Sequence, residues 1–137
     1  MLDVREFRAA CHAAARRTAG SLVEFRLARR ATPSFHQGVI AYRDKTVAVV
    51  CDRNAPLTAI AQPRVIEGVD ALDSGPLTFL DIPGLHGALE TILGHRVLTK
   101  ADLNAPFQQA DWPHIAATDI KYWRPTTVGE ALFNFWD

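Results

Sequence analysis

Apolar positions follow a helical rhythm at the start of the chain. Over residues 3–17, Val4, Phe7, Ala10 (or Cys11), Ala14 and Ala15 form one stripe, while Arg5, Glu6, Arg8, Arg16 and Arg17 line the wet side. Asp3 near the start and two arginines near the end complement the helix dipole, and Gly20 supplies a stop signal. The period then drops to two. Val23, Phe25 and Leu27 alternate with Leu22, Glu24 and Arg26, which predicts a strand over 21–30 with one buried face. Residues 35–43 are apolar on both faces, as in a central strand, and 46–52 (TVAVVCD) are almost continuously apolar. The polar turn Arg43-Asp44-Lys45 between them is too short for a parallel crossover, so these two predict an antiparallel hairpin.

Asn54, Pro56, Pro63, Gly68, Gly75 and Pro76 punctuate the next stretch. It reads as irregular with one short strand near 57–61, although 64–72 also fits a strand or a helical turn. A further strand is expected over 77–82. Pro83 and Gly84 then open a helix running to Leu93, which buries Leu85, Leu89, Ile92 and Leu93 and is closed by Gly94. A brief strand at 96–98 precedes Thr99 and Asp102, whose spacing starts a short helix ending at Asn104. Residues 105–118 read as loop and 119–123 as a last strand. Thr127 and Glu130 repeat the capping-box spacing, and Val128, Ala131, Leu132 and Phe135 fall on one helical face. Phe133 and Trp136 lie off that face, so this last helix must dock, and it is expected to complete the core beside the first.

Together these elements predict one α+β domain over residues 1–137. It would have an N-terminal helix, an antiparallel sheet of about four to six strands with helices on one face, and a C-terminal closing helix. A chain of 137 residues, 48% of them apolar, can bury a core without staples, which excludes a disordered protein. No apolar run approaches the ~20 residues of a membrane span, and the N-terminal stretch lacks the apolar region of a secretory leader. Cys11 and Cys51 lie far apart with no CxxC partner, as buried thiols of a reducing compartment do. A cytoplasmic location is therefore expected, and the high ratio of Arg to Lys suggests a GC-rich, bacterial genome.

Net charge is zero, yet residues 1–64 carry eleven basic residues against five acids and residues 65–137 carry four against ten. Such a split fits a basic face for an anionic partner, internal neutralisation of the two halves, or head-to-tail self-association. The aromatic cluster lies in the acidic half and the arginines in the basic half. Stacking platforms need both together, which argues against nucleic acid.

Catalytic patterns are sparse. The five histidines form no HxH or HExxH pair; His86 and Glu90 share a helix face, read as a solvated surface pair rather than two metal ligands. Ser21, Ser34 and Ser74 lie in no nucleophile elbow. Cys51, ending an apolar strand beside Asp52, has the surroundings of a core thiol rather than a nucleophile. No metal or cofactor is expected. Leu89-Glu90-Thr91-Ile92-Leu93-Gly94-His95-Arg96-Val97 resembles the helix–LG–basic–Val stretch of the minimal nucleotidyltransferases. That family carries a metal-binding carboxylate on the following strand, where this chain has Leu98 and Thr99, and no upstream GS motif is present. The resemblance therefore implies a shared helix–strand turn and no transfer chemistry.

The stretch with the most site-like composition is 111–124, which holds Asp111, Trp112, His114, Asp119, Lys121, Tyr122, Trp123 and Arg124. Trp, Tyr and Arg are the usual anchors of protein interfaces, and function concentrates on loops held by a rigid scaffold. Two functions are carried forward. One is a non-catalytic protein-binding module (an adaptor, chaperone-like protein or immunity-type inhibitor) that engages a protein partner or another copy of itself. The other is a small-molecule binder or enzyme in which His114 acts as a base oriented by Asp111 or Asp119.

Overall fold

The alternating segments pair in chain order. In the computed structural model, which describes residues 3–28, 34–53, 55–63 and 77–134, β1 (Ser21–Arg26), β2 (Phe35–Ala41), β3 (Thr46–Asp52) and β4 (Thr58–Ala61) form an antiparallel meander. β5 (Val97–Leu98) adds beside β4 in parallel, completing a five-stranded sheet of order β1-β2-β3-β4-β5. The expected hairpin is in place, with Ala41 opposite Thr46 and Phe35 opposite Asp52. A register shift between Leu22 and Glu24 in β1 puts Val23 on an exposed bulge.

Of the strand expected over 77–82, one antiparallel bridge forms, Phe79 to Ala61. The Leu80 N–H bonds the Ile60 carbonyl, and the Gln62 N–H bonds that of Thr78. The same edge of β4 is thus shared: Thr58 and Ala59 pair with β5, and the end of the strand pairs with residues 78–80. The stretch 64–72, for which strand and helical turn were both open, lies outside the described residues.

Alternation splits the side chains of the sheet between two cores. Val47, Val49 and Cys51 of β3, with Ile40, Ile60 and Val97, face Phe7, Cys11, Ala14 and Ala15 of α1 (Val4–Arg17) and Leu85 and Leu89 of α2 (Pro83–Leu93). Val50 points the other way. It joins Phe35, Ala59, Ala61 and Leu98 against Leu103 of α3 (Lys100–Asn104), Val128 and Leu132 of α5 (Val128–Leu132), and Phe133 just beyond. The two long helices share one face. α3 and α5 line the other, so the closing helix lies across the sheet from α1 rather than beside it.

Local signals account for most helix ends. Asp3 accepts the Arg5 N–H at 2.7 Å and caps α1. At the other end Ala19, not Gly20, takes the left-handed conformation (φ 63°), while the Gly20 N–H returns to the Ala15 carbonyl at 2.8 Å. Gly94 closes α2 at φ 75°, where a side chain would be strained. Both capping boxes form, Thr99 with Asp102 and Thr127 with Glu130. Both thiols are free and buried in the first core; burial foremost pushes Cys51 up to about 12 and raises Cys11 further.

Candidate functional site

Residues 107–126 leave the core and return to it at one point. Pro106 and Thr127 form an antiparallel bridge; the Phe107 N–H donates to the Thr126 carbonyl and the Val128 N–H to that of Ala105, both at 3.0 Å. The Glu130 carboxylate stiffens this neck by accepting the Thr126 N–H and hydroxyl, each at 2.8 Å, and the Thr127 N–H. The Thr126 N–H foremost, with partial burial opposing, holds the Glu130 carboxyl below its ordinary range.

Within this excursion a single 3₁₀ turn (Gln109–Asp111) leads to Trp112 and Ile115, which pack half-buried on the second core. They pin the segment to the body. Beyond them rises α4 (Ala117–Trp123), none of whose residues is buried. Tyr122 is 77% exposed and Trp123 38%, their rings edge to face with centroids 4.9 Å apart. Arg124 ends the helix in the left-handed conformation (φ 49°) with its N–H on the Ile120 carbonyl, and Pro125 follows.

The strand expected over 119–123 is therefore a helix. Ile120, Tyr122 and Trp123 favour a pleated surface only when a neighbouring strand is there to pair with. On an excursion tethered at its neck, the backbone instead bonds to itself, from Ile120 to Ala116 and from Arg124 to Ile120.

The candidate residues divide by position. Trp112 is an anchor. Asp111 and Asp119 are exposed, on the 3₁₀ turn and the first turn of α4, and Tyr122, Trp123 and Arg124 form the far end of that helix. The carboxylate that His114 approaches is Asp52, with its Nε2 4.0 Å from Oδ2, beyond hydrogen-bonding distance. Asp52 is 8% exposed and ends β3 on the face of Val50. The sequence reading missed it as a partner; a charge closing an otherwise apolar strand was the available signal.

Three other histidines have structural work. His86 and Glu90 are not a solvated pair: His86 Nε2 donates to the Val97 carbonyl at 2.8 Å, and Glu90 accepts the Val97 N–H at 3.2 Å. One turn of α2 thus satisfies the outward-facing backbone of β5, an edge that would otherwise be free to pair with another chain. His36 Nδ1 accepts the Ala28 N–H at 2.9 Å, so the ring is neutral; burial first, then Arg53, lowers its pKa. His95 meets the Thr58 hydroxyl at 3.2 Å, and burial lowers its pKa too.

Among the described residues, no group of three His, Cys, Asp or Glu side chains is placed to hold a metal ion, and no helix is long and apolar enough to cross a membrane. Comparison of the chain with protein-family models, curated proteins and solved structures finds no match.

Proposed function

We propose that the chain is a small, non-catalytic protein-binding module of the cytoplasm, an adaptor, chaperone-like protein or immunity-type inhibitor. It engages another protein, or a second copy of itself, through the 107–126 excursion. The observation that carries this reading is α4, a helix that buries nothing of its own and displays Tyr122 and Trp123 side by side. A seven-residue helix is well below the ~12–15 residues at which isolated helices become even marginal, so the neck and the Trp112–Ile115 anchor hold it. Large aromatics on a pre-formed support lose little entropy on binding and are frequent hot spots. The two free, buried thiols support a reducing compartment.

Native mass spectrometry of the tagged protein taken from its own cells tests this reading. A stoichiometric protein partner, or a homo-oligomer, that is lost in Tyr122→Ser while the melting temperature holds is the expected result. A bare monomer, or a partner retained by that variant, overturns it.

The approach of His114 to buried Asp52 favours a second reading, a small-molecule site in which the carboxylate would come to orient the imidazole. A small molecule retained by the wild type and lost in both His114→Ala and Asp52→Asn is its signature.

A further inference from the structure

We infer that the outward face of α1 binds double-stranded DNA through its phosphates, independently of sequence. The inward side of the helix is Phe7, Ala10, Cys11, Ala14 and Ala15. Opposite them Arg5, Arg8, His12 and Arg16 follow at intervals of three, four and four residues, the spacing that keeps side chains on one helix face. All four are exposed. At about 1.5 Å per residue the row runs for roughly 16 Å along the helix.

Acids are kept off this row. Glu6 lies on the other flank, in the groove toward α2 with Ala13, Ile92 and Leu93. Asp3 caps the helix, and Glu24 of β1 is paired with Arg26. Arg5, Arg8 and Arg16 form no ion pair with the described residues. Arg8 is set over the Phe25 ring, 5.4 Å from its centroid, which holds it on the β1 side of the row. Where α1 ends, the Thr18 hydroxyl meets that of Tyr42 at 2.7 Å, and Lys45 sits over the Tyr42 ring at 5.8 Å. Exposed Lys45 thereby adds a cation at that end, with Asp44 its exposed acidic neighbour.

These features select the occupant. The row has no large apolar side chain, and protein interfaces draw most of their affinity from such an anchor at the centre. A polyanion needs none. Duplex DNA carries one charge per ~1.7 Å of its axis, so each guanidinium of the row can meet a phosphate. Arginine also grips phosphate with two parallel N–H bonds. Phe25 and Tyr42 are half-buried beneath Arg8 and Lys45, so no platform is left for splayed bases, which rules against a single strand. A duplex keeps its bases stacked inside. A helix about 10–12 Å across matches the ~12 Å major groove of B-form DNA, whereas that of an RNA duplex is deep and narrow. Net charge is zero, so the attraction is local to this face, and binding falls in the ~1–100 μM range of non-specific complexes at physiological salt.

The test is fluorescence anisotropy of the whole protein with a labelled DNA duplex of about 20 base pairs, across a salt series from about 50 to 200 mM. Two duplexes of unrelated sequence should bind alike. Affinity should fall about a hundredfold over that series, the slope of roughly four phosphate contacts. Arg5→Gln with Arg16→Gln should halve the slope and weaken binding at the low-salt end at least about tenfold, with the melting temperature retained. Lys100→Gln with Lys121→Gln, which removes two charges away from this face, should leave binding unchanged. The inference fails if no duplex binds at the low-salt end, or if the Arg5, Arg16 variant binds as the wild type does. It also fails if an RNA duplex, single-stranded DNA or poly-glutamate is held as tightly as duplex DNA; tight poly-glutamate binding would assign the face to an acidic protein instead.

Discussion

α5 is five residues long and buries four of them; α4 is seven long and buries none. The longer helix has no side-chain cap, its N-cap position being Ala116, while the shorter has a complete capping box. Helix length, then, says little about what an element contributes here. α5 lies where Phe79, Leu103 and Phe133 can enclose it, and its Glu130 N–H is satisfied by its own cap while the Val128 N–H goes to the Ala105 carbonyl. α4 is held by its flanks, through the neck at Pro106 and Thr127 and the half-buried Trp112 and Ile115. One helix is part of the core. The other is presented by it.

The sharpest way to break that contrast is to remove α5. Deleting residues 127–137 should abolish cooperative unfolding, because the second core loses Val128, Leu132 and Phe133 together and the neck loses its bridge. A truncated protein with an unchanged melting temperature would show that α5 is decoration. The next test is one methyl group. A Cβ on Gly129 would overlap the Phe79 ring and come within 3.1 Å of the Leu103 carbonyl, which is backbone and does not yield readily. Gly129→Ala should cost about 1–3 kcal/mol by chemical denaturation, the ordinary penalty of overpacking. A neutral or stabilising result, from the improved helix propensity of alanine, would mean that α5 is looser against α3 than it looks.

The capping box separates the helices through pH. The Glu130 carboxyl lies below its ordinary 4.5, chiefly through the Thr126 N–H, so folding favours its charged form. Its contribution is therefore complete above about that ordinary value and is lost as pH falls through the lower, folded-state value. Glu130→Gln should reduce stability at neutral pH and shrink the gap to wild type on acidification, measured by denaturation across a pH series. A gap that stays constant would remove the linkage. The smallest effect belongs to α4: Tyr122→Ala, at an exposed site, should change stability by no more than about 0.5 kcal/mol. A larger loss would make the aromatic pair a structural element and weaken its reading as a contact surface.

Much of this fold was legible from local chemistry. The α1 stripe, the hairpin turn at 43–45, the Pro–Gly opening and Gly94 closure of α2, and both capping boxes appear where the sequence places them. In each, neighbours within a few residues satisfy the backbone or set the period. Partners outside that window were not legible. Whether Ile120-Lys121-Tyr122-Trp123 is strand or helix depends on whether another strand lies alongside. His86 and Glu90 were visible as a pair on one helix face, yet their work is on Val97, which the helix reaches through the turn at Gly94 and the pairing of β5.

The candidate site divides along the same line. Its aromatic and charged residues were recognisable as a cluster by composition alone. Which of them anchor and which protrude was decided by where the neck closes and by what Trp112 finds beneath it. Likewise Asp52 became the neighbour of His114 because β3 delivers it to the same side of the sheet as the excursion. By itself the sequence determined an α+β domain, most of its element ends and the free state of two core thiols, all consequences of short-range period, capping and burial. Only the tertiary structure decided which face each helix covers, which helix stays bare and which carboxylate meets the histidine, because each is a contact between segments distant in the chain.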